Sequence, residues 1–184
     1  MNTENQTFTA VRQKNQQSVN FSNNNTLRLI SASNLAKSDF TNSDINNIQI
    51  KNSNLKNSTF RMCNIRKADF SFSNFDKADF GWSNLSSDKF FRTNLEKANL
   101  EFTNLSNSTF DECHLIGTSL RWATLRQTVF NKCDLRRADF SNVDLTQTRF
   151  NECQLKGAKF NINTRLPFFE EKAIKLGMKF IGLQ

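Results

Sequence analysis

The sequence predicts an all-β solenoid, a rod of stacked four-sided coils closed at its C-terminal end by a short helix. Three observations carry that expectation. From Ile30 to Phe160 every fifth residue, 27 in succession without a slip, is Leu, Ile or Phe. The residue two before each of them is Ala, Ser, Thr or Cys in 23 of the 27 cases, the exceptions being Arg28, Ile48, Asp88 and Val143. Read at a spacing of twenty, the large residues also sort into columns: 70, 90, 110, 130 and 150 are all Phe, and 40, 60, 80, 140 and 160 are Phe with Leu100 and Leu120 between them.

A period of five fits neither common element. Five residues rotate an α-helix by roughly 140° per step, which scatters the apolar side chains around the axis. In a straight strand an odd period sends successive members to opposite faces. Every fifth side chain points inward only if the chain turns about a quarter circle per five residues, so that four sides close a coil of twenty and coils stack about 4.8 Å apart. The small residue at minus two lies on the same side of an extended segment and points inward too. Residues 30–160 then give about six and a half coils, on the order of 30 Å of rod. The composition agrees: 19 Phe and no Tyr suit dry aromatic sites where a hydroxyl has no partner.

These residues, with Ala68-Asp69-Phe70, Ala78-Asp79-Phe80 and Ala138-Asp139-Phe140 as the clearest units, resemble the pentapeptide-repeat family and its A(D/N)LXX motif. The resemblance implies a right-handed quadrilateral parallel β-helix. It divides the chain into a polar N-terminal cap (1–29), the β-helix (30–160) and a C-terminal helix and strand (161–184). In the last segment Thr164 is placed to cap a helix begun near Pro167 and holding Phe168, Phe169, Ala173 and Leu176. Gly177 is a natural stop, with Met178–Leu183 extended beyond it. In the first, Val19 and Phe21 repeat the minus-two and centre relation, but out of register with Ile30. Asp88, a carboxylate at an inward position, is expected at a distorted corner that exposes it.

Candidate chemistry is sparse. Cys63, Cys113, Cys133 and Cys153 all occupy the small inward position, where Cys serves as a small hydrophobe; a strained vertical disulfide or a metal are the alternatives. His114 adjoins Cys113, but neighbours on an extended segment face opposite ways, so the pair reads as one residue inside and one outside. There is no phosphate loop, no metal-ligand spacing, no cofactor motif and no pair of carboxylates in a cleft, so the chain reads as no enzyme. The ladder Asn34, Asn54, Asn74 and Asn94 is assigned to corner bonding. Met62, Trp82, Phe102 and Trp122 are spaced by twenty and form an outward apolar stripe flanked by Arg61 and Arg121, the interface candidate. Phe72 and Phe91 are outward elsewhere on the coil.

Net charge is +8, distributed as +2 over residues 1–29, +4 over 30–160 and +2 over 161–184, with no run that reads as a nucleic-acid tail. No apolar stretch is long enough to span a membrane and residues 1–29 lack a signal-peptide core, so a cytoplasmic location is expected, with a non-classical secretion route left open. Three functions follow. The first is a protein-binding scaffold engaged through the stripe, its partner unidentified. The second comes from the tail: Phe169–Gly182 resembles the ending of quinolone-resistance pentapeptide proteins. That resemblance implies a homodimer through Phe168, Phe169, Leu176, Met178, Phe180 and Ile181, and protection of a type II topoisomerase such as DNA gyrase. Mimicry of DNA by charge needs an acidic surface, whereas residues 30–160 carry +4. The third is direct nucleic-acid binding through Arg61, Arg66, Lys67, Arg121, Arg126, Arg136 and Arg137.

Overall fold

The computed structural model describes residues 9–182. They wind into a parallel β-solenoid of about nine turns, in which residues twenty apart pair from Leu29 on, their amides bonding carbonyls nineteen residues ahead or twenty-one behind, as Leu35 N to Asn54 O and Asn54 N to Ser33 O. Short strands mark one face: β1 (Ala10–Arg12), β2 (Leu29–Ser31), β3 (Gln49–Lys51), β4 (Lys89–Phe91), β5 (Thr109–Asp111), β6 (Val129–Asn131) and β7 (Arg149–Asn151). They form a three-stranded and a four-stranded parallel sheet. Single bridges Gln49–Asp69 and Asp69–Lys89 join the two, so this face, A, is continuous. Faces B, C and D carry the columns of Leu35, Phe40 and Ile45 and are tied by bridges such as Asn34–Asn54, Asp39–Thr59 and Asp44–Asn64.

The interior is the pair of expected columns. On face A, Phe70, Phe90, Phe110, Phe130 and Phe150 stack with centroid separations of 4.8, 4.3, 4.8 and 5.4 Å. On face C, Phe21, Phe40, Phe60 and Phe80 stack at 4.8, 4.4 and 4.9 Å. The columns meet edge to face, as in Phe70–Phe80 and Phe140–Phe150, the geometry that aromatic quadrupoles favour. Phe75, the one Phe on face B, wedges against Phe60, Phe70 and Phe80.

The small inward residue has a bonding role besides its size. Its hydroxyl donates to the carbonyl 23 residues back, as in Ser73 to Ile50 (3.0 Å), Thr93 to Phe70 (3.0 Å) and Thr128 to Leu105 (2.8 Å). In several coils it also accepts the amide twenty residues back, as Ser53 Oγ does from Ser33 and Ser83 Oγ from Cys63. From residue 32 to 157 every corner except that at Gln147 takes its second residue into the left-handed region, with φ of 64° at Asn42, 65° at Trp82 and 60° at Arg137. That conformation costs an ordinary L-residue on the order of 1–2 kcal/mol, and the interstrand bonding on both sides holds it.

Asp88 departs from expectation. It is buried, 2% exposed, at an undistorted corner. Its Oδ1 accepts the Ala68 amide at 2.8 Å, the role a Ser oxygen has elsewhere, while its Oδ2 is buried with no partner. Burial holds the carboxyl well above the ordinary Asp range, outweighing the amide bonds that lower it. The neutral acid offers one acceptor and one donor, which is why a carboxyl fits a hydroxyl site.

The N-terminal segment forms a coil of its own beneath Ile30. Val11 pairs Ile30 and Asn15 pairs Asn34 at an offset of nineteen; Asn24 still accepts the Asp44 amide in that register, and the offset of twenty begins where Leu29 pairs Gln49. Nine residues rather than ten separate Phe21 from Ile30, so one side is a residue short. Asn24 Oδ1 accepts the amides of Thr26 and Leu27 to make the tighter bend. Leu27 then turns inward and is fully buried, while Arg28 is exposed.

At the other end the coil continues with its period broken. Arg165 pairs Asp144, Leu166 and Phe168 pack on the core, and β8 (Lys159–Phe160) pairs β9 (Lys179–Phe180). The helix α1 (Glu170–Lys175) begins later than the sequence suggests, with Phe169 at its N-cap and no side-chain cap. Thr164 instead donates to Phe140 O and accepts the Asn161 amide, closing the last solenoid corner. Gly177, at φ 78°, ends the helix and accepts the Gly157 amide at 2.6 Å. A Cβ there meets Lys156 Cα at 3.4 Å. Gly177→Ala should therefore cost about 1–2 kcal/mol, read as faster hydrogen exchange at Gly157 and Lys179; unchanged protection would contradict the role. Leu183 lies outside the described residues.

Candidate functional site

The side chains with chemistry to offer are mostly absorbed by the fold. The thiols of Cys63, Cys113, Cys133 and Cys153 donate to the carbonyls of Phe40, Phe90, Phe110 and Phe130 at 2.9 to 3.4 Å, as Ser and Thr do in other coils. All four are free, and all but Cys153 are buried. Burial pushes the Cys63 thiol up to about 12. The stacked thiols of Cys113 and Cys153, together with burial, push Cys133 up as well. His114 is exposed and Cys113 buried, so they sit on opposite sides of the wall. The Asn ladder is internal bonding: Asn54 donates to Asn34 Oδ1 at 2.9 Å and Asn94 to Asn74 Oδ1 at 3.2 Å, while the same oxygens accept the amides of Ala36 and Asp76. A shallow depression of about 640 Å³ between faces D and A is lined by Arg126, Gln127, Val129, Thr146 and Arg149; it holds no carboxylate to work with those cations.

The stripe is built as the spacing implies. Met62, Trp82, Phe102 and Trp122 occupy the second corner residue between faces C and D, each amide bonded to the coil above at 3.1 to 3.3 Å. They are 56, 57, 39 and 49% exposed. Trp82 and Phe102 stack at 4.2 Å and 7°, Phe102 and Trp122 at 6.2 Å and 3°. The rings lie face to face along the rod, so they present edges, not free faces. Coils below and above place Asn42 and Asn142 at the same corner, which bounds the ridge at four rungs.

Its two arginines differ. Arg61 is tied to Asp79 Oδ2 at 3.0 Å, and Gly81 makes room for that pair: a Cβ there meets Arg61 Nη1 and Asp79 Oδ1, each at 3.1 Å. Arg121, beside Trp122, has no carboxylate within ion-pair distance among the described residues, and its Nε donor is buried without an acceptor. The acidic residue one coil below at the same corner position, Glu101, accepts from Ser119 Oγ at 2.7 Å.

Of the C-terminal apolar residues, Met178 is buried and Phe168 packs on the core. Phe169 (89%), Leu176 (39%) and Phe180 (49%) are exposed and Ile181 half-buried. The sequence reading did not single out Ile162 and Ile174, which are 63 and 52% exposed and extend this end patch. The seven basic residues proposed from sequence for nucleic acid separate onto three edges: Arg61 and Arg121 between C and D, Arg66, Lys67 and Arg126 between D and A, Arg136 and Arg137 between B and C. No helix among the described residues is long and apolar enough to cross a membrane.

Comparison with known proteins agrees with the winding. The profile of a pentapeptide repeat region matches residues 83–160, and that of eight-copy pentapeptide repeats matches residues 53–87. No curated protein matches by sequence. Among solved structures, QnrB1, a plasmid-mediated fluoroquinolone resistance protein, aligns at 17% identity over 94% of this chain and 93% of its own, with a TM-score of 0.45. The pentapeptide repeat protein alr5209 from Nostoc Pcc 7120 aligns at 25% identity over 59% and 84%, with a TM-score of 0.46. HetL, involved in heterocyst differentiation regulation in Nostoc sp. strain PCC 7120, aligns at 15% over 85% and 83%, with a TM-score of 0.34. The two profiles together run unbroken from residue 53 to 160, more than half of the chain, and with the five-residue period and the four-sided winding they establish that it belongs to the pentapeptide-repeat family.

Proposed function

We propose that this protein is a non-enzymatic scaffold that binds another protein through the ridge Met62–Trp82–Phe102–Trp122. The observation that carries the reading is the placement of those four side chains. A left-handed corner favours Asn and Gly and penalises bulky residues, and Asn fills the second corner position at 42, 47, 52, 57, 107 and 142. Aromatic rings there gain nothing for the backbone and leave about half their surface in water. Exposed aromatic residues beside an arginine are the composition of interface centres. Arg121, unlike Arg61, retains its charge for a carboxylate on the rim of the partner.

Trp82→Asn with Trp122→Asn should leave the melting temperature within a few degrees and reduce recovery of partners in pull-down at least about tenfold. Arg121→Ala should weaken capture more than Arg61→Ala. Undiminished recovery by the double Asn variant ends this reading.

The C-terminal end supports a second one. A short helix, Gly177 and a strand paired to Phe160 form a module whose outer surface exposes Ile162, Phe169, Ile174, Leu176 and Phe180, apolar area that pairing with a second copy would cover. The resemblance of this tail to quinolone-resistance pentapeptide proteins extends the reading to protection of a type II topoisomerase. Phe169→Ser with Phe180→Ser should convert a dimer to a monomer in sedimentation. Gyrase supercoiling in the presence of a quinolone should be restored by the intact chain at micromolar concentration, and no restoration counts against the topoisomerase assignment.

A further inference from the structure

We propose that the edge between faces B and C is a docking surface for the phosphate backbone of duplex nucleic acid, independent of the aromatic ridge. The winding gathers charge there that is dispersed in the sequence. The corner pairs at 36/37, 56/57, 76/77, 96/97, 116/117, 136/137 and 156/157 lie one above another, joined by backbone bonds from Lys37 to Lys56 (2.9 Å) through Lys77 to Glu96 (2.8 Å) to Arg137 to Lys156 (3.2 Å). This edge carries seven basic and two acidic residues, a net +5, while the rest of residues 30–160 nets −1. This is the most positive of the four edges; the edge between faces D and A follows with Arg66, Lys67 and Arg126, a net +3, and the acidic residues lie mostly on the faces.

Three of the seven cations are engaged: Lys56 with Asp76 (2.8 Å), Lys97 with Glu96 (2.9 Å) and Arg136 with Asp134 (2.6 Å). Lys37, Lys77, Arg137 and Lys156 are exposed and have no carboxylate within ion-pair distance among the described residues. At about 4.8 Å per coil they span about 29 Å. That is less than one turn of duplex, about 34 Å, so a straight edge meets phosphates on both sides of a groove without bending either molecule.

The chemistry of the surroundings selects the partner. The edge has one large apolar side chain, the half-buried Ile116, which is unlike a protein interface and like the polar, positive surface that meets nucleic acid. Face B beside it presents Asn34, Asn54, Asn74 and Asn94, neutral amides compatible with phosphate, and further along His114 and Asp134, the latter already paired with Arg136. Face C on the other side presents Asp39, Asp79 and Asp139, which repel it and set the side from which the backbone approaches. Single strands are held by bases stacked on free aromatic faces; this edge has none, and the rings of the ridge are stacked on one another.

The test is fluorescence anisotropy of the full chain with a labelled 24-base-pair duplex of mixed sequence between 50 and 200 mM salt. Four phosphate contacts give a slope of log K against log salt of about −3.6. The variant Lys37→Gln, Lys77→Gln, Arg137→Gln, Lys156→Gln should flatten that slope toward zero and lose at least about tenfold in affinity at 50 mM salt. A control with the same charge change on other edges, Arg66→Gln, Lys67→Gln, Arg126→Gln, Lys132→Gln, should stay within about threefold of the parent. Melting by circular dichroism checks that both variants fold, and the single changes Lys77→Gln and Arg137→Gln, each lowering the slope by about one, give the same answer if the quadruple variant does not. Absence of duplex binding at 50 mM salt, equal losses in both variants, or tenfold preference for polyglutamate or for a single strand overturns the proposal.

Discussion

Asp88→Asn should stabilise the protein at pH 7 by about 1–3 kcal/mol, because there the buried carboxyl must hold its proton against the solution or ionise without a partner. Asn keeps the shape of the acid and supplies both groups the site uses. Its Oδ1 accepts the Ala68 amide as the carboxyl does at 2.8 Å, and its amide is a donor in place of the unpartnered Oδ2. The corresponding acceptor by the repeat, 23 residues back, is the carbonyl of Ile65. The effect is tied to pH with a definite sign. The folded carboxyl binds its proton more tightly than the unfolded one because of burial. Its contribution is therefore fully present below the unfolded value of about 4 and is lost as pH rises toward the folded value. The advantage of Asn should accordingly be near zero at pH 4 and grow toward neutrality. Thermal melts of both proteins from pH 4 to 8, with hydrogen exchange at the Ala68 amide, check it. A variant less stable than the parent at pH 7 by 1 kcal/mol or more would show that the carboxylate is ionised and held.

Phe110→Ala should cost about 3–5 kcal/mol, among the largest effects of any single change in the chain. The ring is fully buried, stacked at 4.3 Å on Phe90 and 4.8 Å on Phe130. Its removal leaves a cavity that neighbouring coils cannot close without breaking their interstrand bonding. Phe110→Leu should cost about 1 kcal/mol, since Leu100 and Leu120 stand in the facing Phe column and the interior already accommodates that shape. A solenoid's coils contact only their neighbours, so the Ala variant should also lose cooperativity: exchange at the amides of 90–130 should accelerate while those near Phe40 remain protected. Uniform loss of protection along the rod would indicate a single cooperative unit.

The winding was legible because its signal is redundant. Twenty-seven apolar residues at a period of five admit one backbone path, and the twenty-residue columns check it; the stacking of Phe70 through Phe150 follows directly. The stripe was legible for the same reason, since its address is set by the winding. What the period leaves undefined was read less well. Arg28 turned outward and Leu27 inward because Phe21 and Ile30 are nine residues apart, a count whose consequence depends on where the bend is taken up. Asp88 looks from its residue type like a group that must reach water; only the Ala68 amide, delivered from the coil below, makes a buried neutral acid acceptable. Thr164 has the side chain of a helix cap but bonds Phe140 and Asn161, because a solenoid corner was nearer than the helix.

By itself the sequence determined the fold, the two Phe columns and the rungs of the aromatic ridge, because each depends only on spacing along the chain. Tertiary structure decided the burial that raises the Asp88 carboxyl, which arginine beside the ridge is left without an ion pair, and the gathering of net +5 on one edge. These depend on which residues from different coils become neighbours, and on how much water is left between them.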